Sequence, residues 1–353
     1  MSSKIRQLCV LSFIVLSLSV SVASSAGVKA GKKSSKLHHQ EVETTEGPNL
    51  FWAEPADIRT RNLFYGPGGE KHQPRGPFKF VEEDLDGTSP KFVVRGGDGA
   101  KWKVKLGLEA RPETAATRLV WATGYFANED YFLPDIQVSG LPEHLHRGQE
   151  FVAPGGSVRN VRLKRYLKGE KKIGTWDWVD DPFTGRREWH GLRVMMALIN
   201  NWDLKEENNA VYQYEEDGAE GPRAVRVYLV SDLGASFGTP RLTWPLKKTR
   251  DDLHTYRESQ FIKELTPMFV NFSTPGRAAA YFLYNPHEYG IRRDLQWIGK
   301  NISRPDARWM GQILARLSAQ QIRDVFRASG YTPEEVEGFA AVVEGRIAEL
   351  NRL

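Results

Sequence analysis

From Phe78 the hydrophobic pattern of this chain is short and strand-like, and from Trp189 it lengthens into helices. Phe78-Lys79-Phe80-Val81 and Lys91-Phe92-Val93-Val94 read as strands around a turn at Asp86-Gly87-Thr88-Ser89-Pro90. A second turn, Gly96-Gly97-Asp98-Gly99, leads into Lys101-Trp102-Lys103-Val104-Lys105-Leu106, where polar and apolar residues alternate strictly. Arg111 to Val120 predicts a helix, with Pro112 suited to its first turn, and Tyr131–Val138 and Val158–Leu163 predict two more strands. Leu167 to Gly174 is polar and reads as a hinge. Beyond it, Trp189, Leu192, Val194 to Met196, Leu198 and Ile199 predict a mostly apolar helix that runs into Asn200-Asn201-Trp202-Asp203. A hairpin follows, Val211-Tyr212 against Val225 to Val230. The remainder is mainly helical, with capping boxes at Ser318/Gln321 and Thr332/Glu335.

The residues ahead of this pattern are of three kinds. Lys4 and Arg6, the apolar stretch Leu8–Val22 and the small residues Ala23-Ser24-Ser25-Ala26 read as an export leader over 1–26. Residues 27–46 are polar and read as a disordered tether, and 47–77, punctuated by Gly66-Pro67-Gly68-Gly69, as an irregular arm. The expected location is outside the cytoplasm, periplasmic or secreted, with no transmembrane segment in the mature chain. Cys9, the single cysteine, falls inside the leader, which excludes thiol catalysis and zinc–thiolate sites from the mature protein. Removing Lys4 and Arg6 from a formal charge of +5 leaves +3, too mild to argue for nucleic acid as a partner. Ten tryptophans are scattered along the chain and read as core and packing aromatics rather than a sugar platform.

The chemistry concentrates in two strings. Asp203-Leu204-Lys205-Glu206-Glu207-Asn208 has the D-L-K-x-x-N spacing of a kinase catalytic loop, and Ser231-Asp232-Leu233-Gly234 follows the hairpin like a D-[FL]-G turn. Phosphoryl transfer needs a carboxylate to orient the attacking hydroxyl, and an amide oxygen and a second carboxylate to hold a metal against the phosphates. On these residues the chain resembles the protein-kinase-like superfamily, in its atypical branches: the HipA toxins, the spore-coat CotH kinases, the secretory-pathway kinases and the phosphatidylinositol kinases. The resemblance implies an α+β, two-lobed fold, with a β-rich N-lobe over 78–166 and a mainly helical C-lobe over 167–353. It also implies an exported phosphotransferase moving the γ-phosphate of ATP to an unidentified hydroxyl on a protein, glycan or lipid, with Mg²⁺ or Mn²⁺.

By the same resemblance, Asp203 is the catalytic carboxylate, Lys205 contacts the transferring phosphate, and Asn208 and Asp232 hold the metal. Gly87-Thr88-Ser89-Pro90-Lys91 is similar to the G-x-x-P-K turn with which HipA-like proteins cover the phosphates, which makes Gly87, Ser89 and Lys91 nucleotide-binding candidates beside the rival turn Gly96–Gly99. Lys105, or Lys103 on the same face, stands where the strand lysine belongs, with Glu113, or Glu109, as its helix partner. The chain departs from ordinary kinases in having Asn201 two residues before Asp203 and no A-P-E motif. Two alternatives stand beside this reading: a kinase-fold binding or scaffold protein without catalysis, and a serine hydrolase using Ser236 of Gly234-Ala235-Ser236-Phe237-Gly238, whose elbow requires a helix directly after it.

Overall fold

Alternation in the first half is realised as strands that close on themselves. The structure is a computed structural model and describes residues 45–218, 221–240, 250–275, 282–283 and 285–353. The leader and nearly all of the tether read from the sequence lie outside the described residues. The last part of that tether is corrected: the chain is a strand, β1 (Thr45–Leu50), from Thr45 onward. Five strands then make a barrel: β2 (Phe78–Glu83), β3 (Lys91–Arg95), β4 (Lys101–Leu106), β5 (Asp130–Ser139) and β7 (Ser157–Arg165), with β6 (Val152–Ala153) added on β7. The order is β4-β3-β2-β5-β7, and β4 pairs again with β7, so the sheet has closed rather than remaining a row of strands beside a helix. Closure follows from the pattern. Phe92, Val94, Trp102, Val104, Val161 and Leu163 point inward and are buried together, which leaves Lys91, Lys103, Lys105, Arg162 and Lys164 on the outer face. Helix α1 (Ala110–Ala122) lies between β4 and β5 in the chain and packs on β5 and β7.

The second half begins with β8 (Lys171–Gly174), in the segment read as a hinge, and α2 (Arg187–Leu198). Val194, Met195, Met196 and Leu198 of α2 are all at most 1% exposed, and burying each contributes about 1.5–3 kcal/mol. The hairpin β9 (Asn209–Gly218) and β10 (Gly221–Val230) forms a four-stranded sheet in the order β1-β10-β9-β8, with β1 parallel to β10. After α3 (Leu253–Glu258), a small sheet of β11 (Ile262–Leu265), β12 (Phe269–Phe272) and β13 (Ile302–Ser303) brackets α4 (Pro286–Asp294). Three helices end the chain: α5 (Arg304–Leu314), α6 (Ala319–Arg327) and α7 (Pro333–Asn351). Both expected capping boxes are formed, at Ser318 for α6 and Thr332 for α7, each contributing about 1 kcal/mol. The result is a mixed α+β protein, strand-rich first and mainly helical later. Among the described residues no helix is long and apolar enough to cross a membrane.

Candidate active site

The loop after α2 is built by its asparagines. Asn200 ends the helix with φ +52°, a left-handed position that asparagine tolerates. Asn201 Oδ1 then accepts the Asp203 N–H at 2.9 Å, and Asn208 Nδ2 donates to the Asp203 carbonyl at 2.7 Å, so the loop is closed by side chains at both ends. The backbone carbonyl of Asn208 accepts from the N–H groups of Ser231 and Asp232, at 2.7 and 3.0 Å. The two strings, separated by a full hairpin in sequence, are thereby laced side by side. From the barrel side, Asn128 Nδ2 reaches the Ser231 carbonyl at 3.1 Å.

Lys105 is where the two halves meet. Its Nζ lies 2.8 Å from Glu109 Oε2, 2.9 Å from Glu113 Oε2 and 2.9 Å from Asp232 Oδ2. The sequence left Lys103 and Lys105 open; Lys103 turns away to Asp84, at 2.7 Å. The short gap from Lys105 to Glu113 is spanned because Gly107 turns the chain sharply with φ +83° into α1, at a point where a Cβ would sit 2.8 Å from the Phe151 ring. Behind Glu113 runs a chain of buried charge. Arg162 Nη2 is 3.2 Å from Glu113 Oε1, Arg162 Nε is 2.8 Å from Asp130 Oδ2, and Arg118 Nη1 is 3.4 Å from Asp130 Oδ1.

These neighbours set the protonation states. Burial alone would raise the Asp232 carboxyl, but the Lys105 ammonium, with the Gly234 N–H at 3.1 Å, holds it down to about 2. Burial likewise works to lower Lys105, and Asp232 and Glu113 outweigh it and raise it. Glu113 is raised where Asp232 is lowered, because burial pushes it up although Arg162 and Lys105 pull it down. The Asp232 side chain is 40% exposed, whereas that of Glu113 is 2% exposed, so of these two carboxylates Asp232 is the one open to solvent.

Asp203 is held from α4. Arg292 Nη1 and Nη2 each stand 2.9 Å from one of its carboxylate oxygens, and the guanidinium lies over the Trp202 ring. Asp203, Lys205 and Ser89 line one cleft of about 490 Å³ with Glu109, Trp202, Arg250 and Arg292. Ser89 Oγ donates to Glu109 Oε2 at 2.7 Å, and Arg250 pairs with the other oxygen, Oε1. Gly87 and Lys91 are placed differently. Lys91 Nζ bonds the Asp86 carbonyl and stands 3.8 Å from Asp84, and Gly87 offers its carbonyl to Arg147, so neither lines this cleft. Ser236 is corrected. It is fully buried, its Oγ has no hydrogen-bond partner, and the four described residues after it are not helical, so it forms no nucleophile elbow.

Comparison with protein-family models and with curated proteins finds no match. Among solved structures, a Helicobacter pylori proinflammatory kinase, CtkA, is similar at a TM-score of 0.43 and 10% identity, over 78% of this chain and 96% of that one. At that overlap and identity the meaning of the site rests on the ion cluster itself. Three of its members, Arg162, Arg250 and Arg292, escaped the sequence reading. Arg162 carries a signal only once β4 and β7 are known to pair, since it lies directly opposite Lys105.

Proposed function

We propose that the chain is a kinase-like phosphotransferase that moves the γ-phosphate of ATP to a hydroxyl acceptor with Mg²⁺ or Mn²⁺. The observation that carries this reading is the meeting of Glu113 and Asp232, from distant parts of the sequence, on the single ammonium of Lys105. A magnesium-sized ion takes oxygen ligands and keeps water and phosphate in its shell, so one or two protein oxygens suffice. Asp232, ionised and part-exposed, fits that need, and Asn208, whose backbone carbonyl accepts the Asp232 N–H and whose Nδ2 is committed to the Asp203 carbonyl, is the second candidate ligand through its amide oxygen. Among the described residues no group of three His, Cys, Asp or Glu stands ready to hold a metal alone, so the ligand's own phosphates would complete the shell. Bound there, the metal would neutralise phosphate charge.

The remaining work falls to this chain's own groups. Lys105, steadied by Glu113, holds the α and β phosphates under the Ser89 turn, and Lys205 steadies the phosphate in transfer. Asp203, oriented by Arg292 and by the Asn201 turn, aligns the acceptor hydroxyl and takes its proton. Catalysis then comes from positioning and charge neutralisation, without a covalent intermediate. The leader read from the sequence at 1–26 supports a site of action outside the cytoplasm.

A second reading, a nucleotide-binding or scaffold protein without transfer, draws support from Arg292, which engages both oxygens of Asp203. Melting with and without Mg²⁺–ATP and Mn²⁺–ATP tests the first reading. Wild type and Asp203→Ala should rise in melting temperature, Asp232→Ala should not, and only wild type should add the mass of phosphate to an acceptor. Equal nucleotide affinity in wild type and Asp232→Ala would sink the assignment. Binding without added mass selects the second reading, and added AMP mass selects nucleotidyl transfer.

A further inference from the structure

Three donors, two of them lining the cleft and the third, Lys105, just behind it, converge on one carboxylate of its wall. Glu109 Oε2 takes the Ser89 hydroxyl at 2.7 Å and the Lys105 ammonium at 2.8 Å, and Oε1 takes Arg250. A hydroxyl from a turn, an ammonium from a strand and a guanidinium from a third segment form the donor set that suits a phosphoryl group, whose three oxygens carry charge of the same sign as the carboxylate and more of it. Resting on the phosphotransferase reading, we propose that Ser89, Lys105 and Arg250 form a phosphoryl subsite, and that Glu109 fills it as a built-in competitor that an incoming polyphosphate displaces.

Two observations separate Glu109 from Glu113, the other acid on α1's first turns. Glu113 is 1% exposed and its second oxygen is pinned by Arg162, so it stays with Lys105 when ligand arrives. The Glu109 side chain is 18% exposed and lines the same cleft as Asp203 and Lys205. Its seat is also shaped from behind. A Cβ on Gly234 would stand 2.8 Å from Glu109 Cβ and 3.1 Å from Cγ, so the turn after Asp232 accommodates the seated side chain only as glycine. Nucleotide access and the Asp232 turn are therefore linked through one side chain.

A plug seated nine times in ten weakens apparent affinity about tenfold, and removing it returns that factor. The test is calorimetric titration of wild type, Glu109→Gln and Glu113→Gln with inorganic tripolyphosphate and with Mg²⁺–ATP. Glu109→Gln should bind both ligands about tenfold tighter, whereas Glu113→Gln should bind both more weakly. Should Glu109→Gln fail to fold, Glu109→Asp carries the same expectation, because one methylene less withdraws the carboxylate from the three donors. Unchanged or weaker binding in the Glu109 variants, beside a wild type that binds Mg²⁺–ATP, overturns the plug and leaves the phosphotransferase reading standing. A gain for tripolyphosphate without any ATP binding keeps the subsite and overturns the nucleotide. No binding of either ligand by any variant overturns both.

Discussion

Replacing Arg162 with methionine removes a cation from the middle of the buried charge chain while keeping most of its volume filled. Arg162 is 4% exposed and lies between Glu113, at 3.2 Å, and Asp130, at 2.8 Å. Taking one partner from a buried ion pair costs about 3–5 kcal/mol, because a charge remains without compensation. Each carboxylate here keeps a second cation, Lys105 at 2.9 Å for Glu113 and Arg118 at 3.4 Å for Asp130. The loss should therefore fall at the lower end, about 3 kcal/mol. For a chain of this length each kcal/mol moves the melting temperature by about 1.5 °C, giving a fall of roughly 4–5 °C. Thermal and urea unfolding of wild type, Arg162→Met, Glu113→Gln and the double variant measure it. If the loss runs through Glu113, the double variant should lose less than the two singles together. The deficit should also shrink as pH falls, since burial raises the Glu113 carboxyl and protonation relieves the uncompensated charge. A fall under about 2 °C, or strict additivity, would refute the view that these charges act as one chain.

Two further outcomes concern single part-buried groups. Burial raises Asp251 to about 6 from 3.8, although Arg111 lies 3.3 Å away. Its stabilising contribution is thus intact below 3.8 and lost as pH rises through about 6, and Asp251→Asn should abolish that slope, worth on the order of 3 kcal/mol. Urea midpoints across the interval check it, and an unaltered slope counts against it. Lys164, whose Nζ donates to the Tyr212 hydroxyl at 2.7 Å, is lowered to about 7 by burial, with Arg162 and Lys103 adding to the effect. Its cost is complete below that pH and shrinks as pH rises toward 10.5, so Lys164→Met should melt higher than wild type in mild acid and lose the advantage in alkali. A gain independent of pH would contradict this.

Local order was readable wherever one residue's chemistry decides it. Lys101 to Leu106 alternates and is a strand; Ser318 and Thr332 cap helices because hydroxyl and carboxamide or carboxylate stand three residues apart. The spacing within Asp203–Asn208 was equally legible, since the asparagine that closes the loop is inside the string. Barrel closure was not, because the β4–β7 pairing joins residues some sixty positions apart and no local pattern encodes it. Arg162 and Arg250 were missed for that reason, as each becomes a partner of Glu113 or Glu109 only after closure and folding of the second half. The strand at Thr45 was hidden by its composition. T-E-G-P-N-L carries little strand propensity, and the ladder of β10 supplies the order instead.

The position of β1 has a mechanical consequence. The chain leaves the four-stranded sheet from one edge, β1, builds the barrel, and re-enters the sheet at the opposite edge, β8. Three inter-strand steps separate those edges, roughly 14 Å at the usual strand spacing. A body hung from one point swings in any direction; a body slung from two rocks only about the line that joins them. The barrel is slung in this way. The suspension is braced as well, because α1, packed on β5 and β7, also packs on α6, and Arg111 near its start pairs with Glu335 of α7 at 2.7 Å.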